Sequence, residues 1–89
     1  MKPTVCTIRR FLIEICKRPG ITAKDLSERL DDFPIRETIR VIESLRRNRV
    51  VNVEGAGVSE SIASNCGDES STIQAALNAG LDVDRLISN

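Results

Sequence analysis

The chain has very few aromatic residues and no histidine. Only Phe11 and Phe33 are aromatic among its 89 residues, and Trp, Tyr and His do not occur. A core must therefore be built from Ile, Leu and Val, and imidazole is excluded as a catalytic base, a metal ligand or a pH-sensitive group. A chain of this length forms one small domain with a modest core, so a large catalytic cleft is not expected.

Cysteine is sparse, and its pattern indicates no cross-link and no metal. Cys6, Cys16 and Cys66 are an odd number without a CxxC spacing, so we predict reduced thiols and no zinc site. The sequence also lacks a nucleophile elbow, a phosphate-binding loop and any cluster of metal-ligating residues. Because acid-base and nucleophilic catalysis lack their usual groups, we expect no enzyme, no metal and no cofactor.

Long apolar runs are scarce as well. Arg9, Arg10 and Glu14 interrupt the first apolar segment, so no signal peptide is expected. No run approaches the ~20 apolar residues that a helix needs to cross a bilayer. We therefore expect a soluble, cytoplasmic protein that has no membrane partner.

The net charge of zero hides an uneven distribution. Residues 1–50 hold twelve Lys or Arg and seven Asp or Glu, whereas residues 51–89 hold one and six. A basic first half suggests an anionic partner, with an acidic tail that limits non-specific binding. The alternative is that the tail simply neutralises the first half within the molecule, and the sequence leaves both open.

Three amphipathic helices are predicted in the first half of the chain. They cover residues 4–18, ending before Pro19 and Gly20, then residues 23–30 and residues 35–48. The first helix carries its apolar stripe at Val5, Ile8, Leu12 and Ile15. The third carries its stripe at Ile35, Ile39, Ile42 and Leu45. The opposite face of the third helix is charged and consists of Arg36, Glu37, Arg40, Glu43, Arg46 and Arg47. This combination is typical of DNA-reading helices and of ordinary surface helices alike.

The start of the second helix carries the clearest local signal. Thr22 can accept a hydrogen bond from the free amides at the helix start, and Asp25 resembles the reciprocal partner of a capping box. Ile21 and Leu26 fit the hydrophobic contact that often accompanies this box. The pair of Thr22 and Asp25 is thus explained as a helix start rather than as a catalytic pair.

A hairpin and a polar segment follow the third helix. The β-branched run in residues 49–54 predicts a strand, Gly55 and Gly57 predict a turn, and residues 58–62 predict a return strand. Residues 63–70 are small and polar, which predicts a linker.

The last segment is predicted to be a helical tail. A short helix should cover residues 71–79 and stop at Gly80, and Asp82 could start a last turn. Apolar residues of that turn are Val83, Leu86 and Ile87. The chain thus divides into a domain (1–62), a linker (63–70) and a tail (71–89). Dimerisation, packing against the domain and disorder all remain open for the tail.

Two stretches resemble a known family. ITAKDLSERL followed by TIRVIESLRRNRVV resembles a run in bacterial winged helix-turn-helix transcriptional regulators of the gluconate-repressor and multiple-antibiotic-resistance-repressor types. That run reads T-A-K-E-L-A-x-x-L and then T-V-R-R-x-L-x-x-L-x-x-x-G-L-V, and the resemblance covers residues 21–57. It implies a mainly α fold with a small β-hairpin, in which a three-helix core carries a wing, followed here by the short C-terminal helical tail.

The resemblance implies that the third helix lies in the major groove of double-stranded DNA. The positions implied to be exposed and to reach base edges are Arg36, Glu37, Thr38 and Arg40. Either Arg36 or Arg40 can donate two parallel hydrogen bonds to O6 and N7 of guanine. Phosphate contact is implied for the residues near the helix end, which are Arg46, Arg47 and Arg49.

Three features depart from the family pattern. Pro34 or Ile35 stands where the family often has Ser, so the third helix should lack a side-chain cap. The predicted wing has no Lys or Arg but contains Glu54 and Glu60, so DNA phosphates would repel it. Arg49 replaces an expected Gly, which is compatible with a turn that is not left-handed.

The leading interpretation is sequence-specific binding of double-stranded DNA by a small transcriptional regulator, such as a repressor, acting as a homodimer on a palindromic site. The alternative is a winged-helix protein-protein interaction module, from a mobile element or a larger assembly, that does not bind DNA. A continuous positive surface over the third helix and the base of the wing favours DNA. An apolar patch that involves the tail favours a protein partner.

Overall fold

The computed structural model describes residues 5–88, which form a small α/β structure of four helices and two antiparallel sheets. In chain order the elements are β1 (Val5–Thr7), α1 (Ile8–Lys17), β2 (Ile21–Thr22), α2 (Ala23–Arg29), α3 (Ile35–Arg47), β3 (Val51–Glu54), β4 (Ser61–Ser64), α4 (Glu69–Asn78) and β5 (Leu86–Ser88). Thr4, predicted to start the first helix, and Asn89 of the predicted tail lie outside the described residues. None of the described helices is long and apolar enough to cross a membrane.

Helix α1 begins at Ile8, later than the sequence predicts. The Thr7 hydroxyl accepts a hydrogen bond from the Arg10 N–H at 3.3 Å and so caps the helix start. The preceding strand β1 pairs antiparallel with β5 from the other end of the chain. Val5, which was predicted to lie on the buried stripe of the helix, is 46% exposed on this strand. The predicted helix start is wrong because this strand partner is distant in sequence, and local periodicity cannot show it.

Helix α2 begins as predicted. The Thr22 hydroxyl accepts the N–H of Asp25 at 3.1 Å, which confirms the cap, and both Ile21 and Leu26 are buried. The same Ile21 and Thr22 also form the short strand β2, which the sequence did not indicate. This strand pairs with β4 and ties the start of α2 to the hairpin.

The two aromatic rings meet in the core. Phe11 and Phe33 are fully buried, with ring centroids 5.6 Å apart and an edge-to-face angle of 85°. Buried Ile, Leu and Val side chains make up most of the remaining core, which confirms the predicted aliphatic core. The Ser27 hydroxyl donates to the Phe33 carbonyl and closes the turn between α2 and α3.

The hairpin after α3 is confirmed, but its second strand begins later than predicted. Gly55 and Gly57 have φ angles of +88° and +66°, the left-handed region that glycine tolerates. Gly57–Ser59 form a single 3₁₀ turn, so the return strand begins at Ser61 rather than near Val58. The sheet order is β2-β4-β3. This arrangement of helices and strands is compatible with the expected winged helix-turn-helix.

The tail packs against the same core as the rest of the chain. Thr72, Ala76 and Val83 are buried, and β5 pairs with β1. The segment predicted to be a linker is shared between the end of β4, a short turn and the start of α4. The predicted last turn is wrong at Leu86 and Ile87, which lie in β5. Of the three arrangements left open by the sequence, the structure has the tail packed on its own domain.

A network of hydroxyl groups fixes α4 to its neighbours. Thr72 is fully buried, and its hydroxyl donates to the Asp68 carbonyl at 2.6 Å. It therefore accepts from its other two partners, the Ser64 hydroxyl at 2.5 Å and the Cys16 thiol at 3.4 Å. Because Ser64 belongs to β4 and Cys16 to α1, this one side chain joins three elements.

Candidate nucleic-acid interface

The orientation of α3 is set by the side that it buries. Thr38, Val41, Ile42 and Leu45 face the interior, and Ile35 and Ile39 pack partly against the core. The helix lies mainly against α2 and β3. Its outer side exposes four arginines, which are Arg36, Arg40, Arg46 and Arg47. The packing therefore turns an arginine-rich surface towards solvent.

Thr38 does not belong to that exposed surface, and its predicted exposure is wrong. The residue is fully buried, and its hydroxyl donates to the Pro34 carbonyl at 3.1 Å. The physical reason is helical spacing: Thr38 lies one turn before Ile42 and so shares the interior face with it. That spacing was readable in the sequence. The polar character of Thr38 and its place in the family motif suggested the opposite.

Two of the arginines are paired with glutamates on α3 itself. Arg40 Nη1 lies 3.2 Å from Glu37 Oε1, and Arg46 Nη2 lies 2.7 Å from Glu43 Oε2. The hydrogen bond from Arg46 is the main cause of a lowered pKa at Glu43. Surface pairs of this kind are weak, so an approaching phosphate can compete for either arginine.

The three other arginines of the candidate interface have no ion pair among residues 5–88. They are Arg36 at the start of α3, Arg47 in its last turn, and Arg49 just beyond it. All three are exposed. An anion can therefore approach them without displacing a carboxylate of the described chain.

Arg49 adopts a left-handed backbone, contrary to the condition that the sequence analysis set for it. Its φ is +60°, in the region that favours glycine. The Val50 N–H donates to the Leu45 carbonyl at 2.9 Å, and the Arg49 N–H donates to the Arg46 carbonyl at 3.0 Å. These two bonds define a Schellman loop, whose left-handed position is occupied here by arginine. A residue with a Cβ in this left-handed conformation lowers the stability of the fold by roughly 1–2 kcal/mol relative to glycine.

Asn65 holds this loop from the other side, and it is not among the residues predicted from the sequence. Its side-chain Nδ2 donates to the Arg49 carbonyl at 3.0 Å. Its backbone N–H donates to the Val50 carbonyl at 3.1 Å. Asn65 lies just after β4 in the segment predicted to be a linker, and no local pattern marks it as a partner of the helix end.

The wing, residues 54–61, differs from its predicted character in one respect. Glu54 is exposed as expected, but Glu60 is only 4% exposed. The Glu60 N–H donates to the Gly57 carbonyl, and its own carbonyl accepts from the Ala23 N–H at the start of α2. One of the two acidic side chains expected to repel DNA is therefore turned inward.

The Glu60 carboxyl lies in an unfavourable environment for a charge. Its Oε1 has no hydrogen-bond partner among the described residues. Burial, and next the nearby Glu43, raise the pKa of Glu60, while Arg46 acts in the opposite direction. Glu60 and the Glu43–Arg46 pair thus meet where the wing packs on α3.

One ion pair joins the basic first half to the acidic tail. Arg9 donates to both carboxylate oxygens of Asp84, at 2.7 and 3.1 Å, and these bonds lower the pKa of Asp84. This pair agrees with partial neutralisation within the molecule. It leaves the arginines of α3 unaffected, because Arg9 belongs to α1.

No protein-family model, curated protein or solved structure matches this chain.

Proposed function

We propose that this chain is a winged helix-turn-helix protein that binds double-stranded DNA sequence-specifically as a small transcriptional regulator. One observation carries the proposal: the apolar side of α3 is fixed in the core, and its outer side exposes arginines at both ends of the helix. A rigid helix of this kind can enter the major groove with its side chains directed at the DNA.

The candidate contact residues form two groups, one in the first half of α3, where Glu37 is only partly exposed, and one at its end and just beyond it. Arg36, Glu37 and Arg40 lie in its N-terminal half, where side chains reach base edges in this mode of docking. Arginine there can bind guanine with two parallel hydrogen bonds, and glutamate can accept from the amino group of cytosine. Phosphate contacts are assigned to the C-terminal group of Arg46, Arg47 and Arg49. Thr38 is left out of the proposal because it is buried.

Two copies on a palindromic site are part of the proposal. A single helix contacts few base pairs, and a homodimer that reads two half-sites one helical turn apart doubles the contacts. We propose a binding protein rather than an enzyme. A surface pocket outside α3 is lined by Ile8, Arg85, Leu86 and Ile87, which offer no acid-base or nucleophilic pair.

The test of DNA binding is its dependence on salt. Fluorescence anisotropy with a labelled duplex of mixed sequence would be recorded at about 50 and 200 mM salt. Three phosphate contacts per chain predict that affinity falls roughly 40-fold per bound copy between these salts, because each contact releases about one counterion. Absence of binding at the lower salt would overturn the proposal.

The role of α3 is tested by the double variant Arg36→Ala with Arg40→Ala. Both side chains are exposed, so the circular dichroism spectrum should remain native while binding to a selected sequence is lost. The matched control is Arg18→Ala with Arg85→Ala, which removes the same charge from exposed positions outside α3 and the hairpin. An equal loss in both variants would show non-specific attraction only, and retained binding would remove α3 from the reading role.

A protein-interaction module is the second candidate, and the wing favours it. Val58 is 47% exposed near the tip, and the wing carries exposed Glu54 but no basic residue. An apolar side chain beside acidic charge suits a protein surface better than a phosphate backbone. If the chain does not bind the duplex at about 50 mM salt, this candidate replaces the first.

A further inference from the structure

The left-handed position of the loop after α3 is occupied by an arginine, although glycine is sufficient for a loop of this kind. Arg49 and Gly80 occupy the same left-handed position in two equivalent loops, one after α3 and one after α4. In the second loop the Leu81 N–H donates to the Ala76 carbonyl at 3.0 Å, just as Val50 donates in the first. Because the chain closes this loop with glycine in α4, the loop itself does not require the arginine side chain.

The backbone that carries Arg49 is held at both of its polar groups. Its N–H is bonded to the Arg46 carbonyl, and its carbonyl accepts from Asn65 Nδ2 at 3.0 Å. The next carbonyl, that of Val50, accepts from the Asn65 N–H. The direction in which the Arg49 side chain leaves the backbone is therefore fixed by α3 and by the base of the hairpin together.

The guanidinium of Arg49 is available to a ligand. Arg40 and Arg46 are bonded to glutamates of their own helix, whereas Arg49 has no ion pair within the described part of the chain. It lies at the base of the hairpin, where Asn65 binds its carbonyl, and residues 50–66 of the hairpin contain no Lys or Arg. A phosphate that approaches the hairpin base therefore meets Arg49 and no basic residue of the hairpin itself.

We propose that Arg49 is the fixed phosphate-binding residue at the junction of α3 and the hairpin, and that Asn65 is the positioning residue that holds it there. The proposal rests on the proposed DNA binding. A phosphate contact carries no sequence information, so Arg49 contributes equally on every duplex. Its fixed backbone reduces the freedom that is lost when the contact forms.

A purely structural role for Arg49 predicts a loss of stability when the arginine is replaced. A positive charge near a helix C-terminus interacts favourably with the helix dipole. If Arg49 served only the helix, Arg49→Gly would lower the melting temperature. If Arg49 contributes nothing to the helix, the same substitution only relieves the left-handed backbone, and the melting temperature stays equal or rises.

The experiment compares the wild type, Arg49→Gly, Asn65→Ala and the double variant by anisotropy with mixed duplex at about 50 and 200 mM salt. Arg49→Gly should reduce the slope of log affinity against log salt by about one. The fall in affinity over this range should then be about three- to fourfold smaller than in the wild type. The control Arg85→Ala removes one exposed arginine from the segment before β5 and should leave the slope unchanged.

The double variant isolates the role of Asn65. A positioning residue acts through Arg49, so Asn65→Ala should weaken binding in the wild type and have no further effect in the Arg49→Gly background. Equal weakening in both backgrounds would overturn the role of Asn65. If Asn65→Ala does not fold, Arg49→Gly still decides the role of Arg49.

Failure of this inference is distinct from failure of the proposed function. A wild type that binds no duplex at the lower salt overturns both. A wild type that binds, together with Arg49→Gly that has the wild-type affinity at both salts, overturns the role of Arg49 and leaves DNA binding by α3 intact.

Discussion

Helices α3 and α4 share two features of their ends, although they lie on different parts of the molecule. Each buries a threonine one turn after its start, and the hydroxyl donates to the carbonyl four residues earlier, at 3.1 Å for Thr38 and 2.6 Å for Thr72. Each ends in a Schellman loop with a left-handed residue. The two helices therefore provide an internal comparison of what this chain does at a helix end.

The two helices differ in whether the residues at their ends are the types preferred for a helix cap and for a left-handed position. Asp68 caps α4 by accepting the Ser71 N–H at 3.0 Å, and Gly80 takes the left-handed position after it. Helix α3 has Pro34 without a side-chain cap, as predicted, and Arg49 in the left-handed position. Helix α4 is thus stabilised locally, whereas α3 relies on packing of its buried side. Departures from local preference are expected where a surface has another task.

The largest effect expected from the comparison concerns the two buried threonines. Thr72→Val removes a hydroxyl with three partners and leaves the Ser64 hydroxyl hydrogen without its acceptor. We expect the free energy of unfolding to fall by about 1–3 kcal/mol. Thr38→Val removes a single hydrogen bond and should cost less, about 1 kcal/mol. Urea unfolding measures both, and a larger loss for Thr38→Val would contradict the network.

The two left-handed positions should respond in opposite directions. A Cβ added at Gly80 meets no atom within 4 Å, so Gly80→Ala tests the backbone alone and should cost about 1 kcal/mol. Arg49→Gly removes a Cβ from a left-handed position and should raise the free energy of unfolding by up to about 1 kcal/mol. Each kcal/mol corresponds to a shift in melting temperature of about 4–8 °C.

Arg49→Ala is the control for the second substitution, because alanine keeps the Cβ and should leave the melting temperature near that of the wild type. A lower melting temperature for Arg49→Gly would show that the arginine, rather than the backbone, dominates at this end of α3.

Features that depend on neighbours in sequence were predictable. The cap at Thr22, the missing cap at Pro34 and the turn at Gly55 and Gly57 each follow from residue type at a fixed spacing, and the structure has all of them. The hydrophobic stripe of α3 was also readable, although it was placed too narrowly and left Thr38 outside. A polar residue on a buried face is ambiguous until its hydroxyl finds a backbone acceptor.

Features that depend on distant partners were not predictable. The strand character of Val5–Thr7 exists because β5 pairs with it, and Ile21 joins a sheet because β4 lies beside it. Asn65 has no local signature as a partner of Arg49, since the bond forms only when the hairpin packs against the end of α3. Among the candidate residues, the sequence could therefore name the arginines but not what holds them.

The smallest expected effect concerns the one buried carboxyl at the α3 side, which contrasts with the satisfied Thr72 at the α4 side. Burial raises the pKa of Glu60, so the folded chain holds its proton more tightly than the unfolded chain does. The stability that this tighter proton binding contributes is present below the ordinary glutamate pKa, and it is lost as the pH rises through the raised pKa of Glu60. Above the raised pKa the burial of this carboxyl therefore opposes folding, although Arg46 offsets part of this.

Glu60→Gln should consequently raise the free energy of unfolding at about pH 7, by a few tenths to about 1 kcal/mol. The advantage over the wild type should shrink towards about pH 4, where Glu60 is protonated. Asp68 and Asp84, whose pKa values are lowered, lose their stabilising bonds over the acidic range in both proteins, so their contributions cancel in the difference. Glu43 also has a lowered pKa, but its repulsion of Glu60 is lost in the variant and is part of the expected difference. Exposed Glu54→Gln is the matched control and should show no such trend. A difference for Glu60→Gln that stays constant between these pH values would contradict a pKa of Glu60 raised by burial.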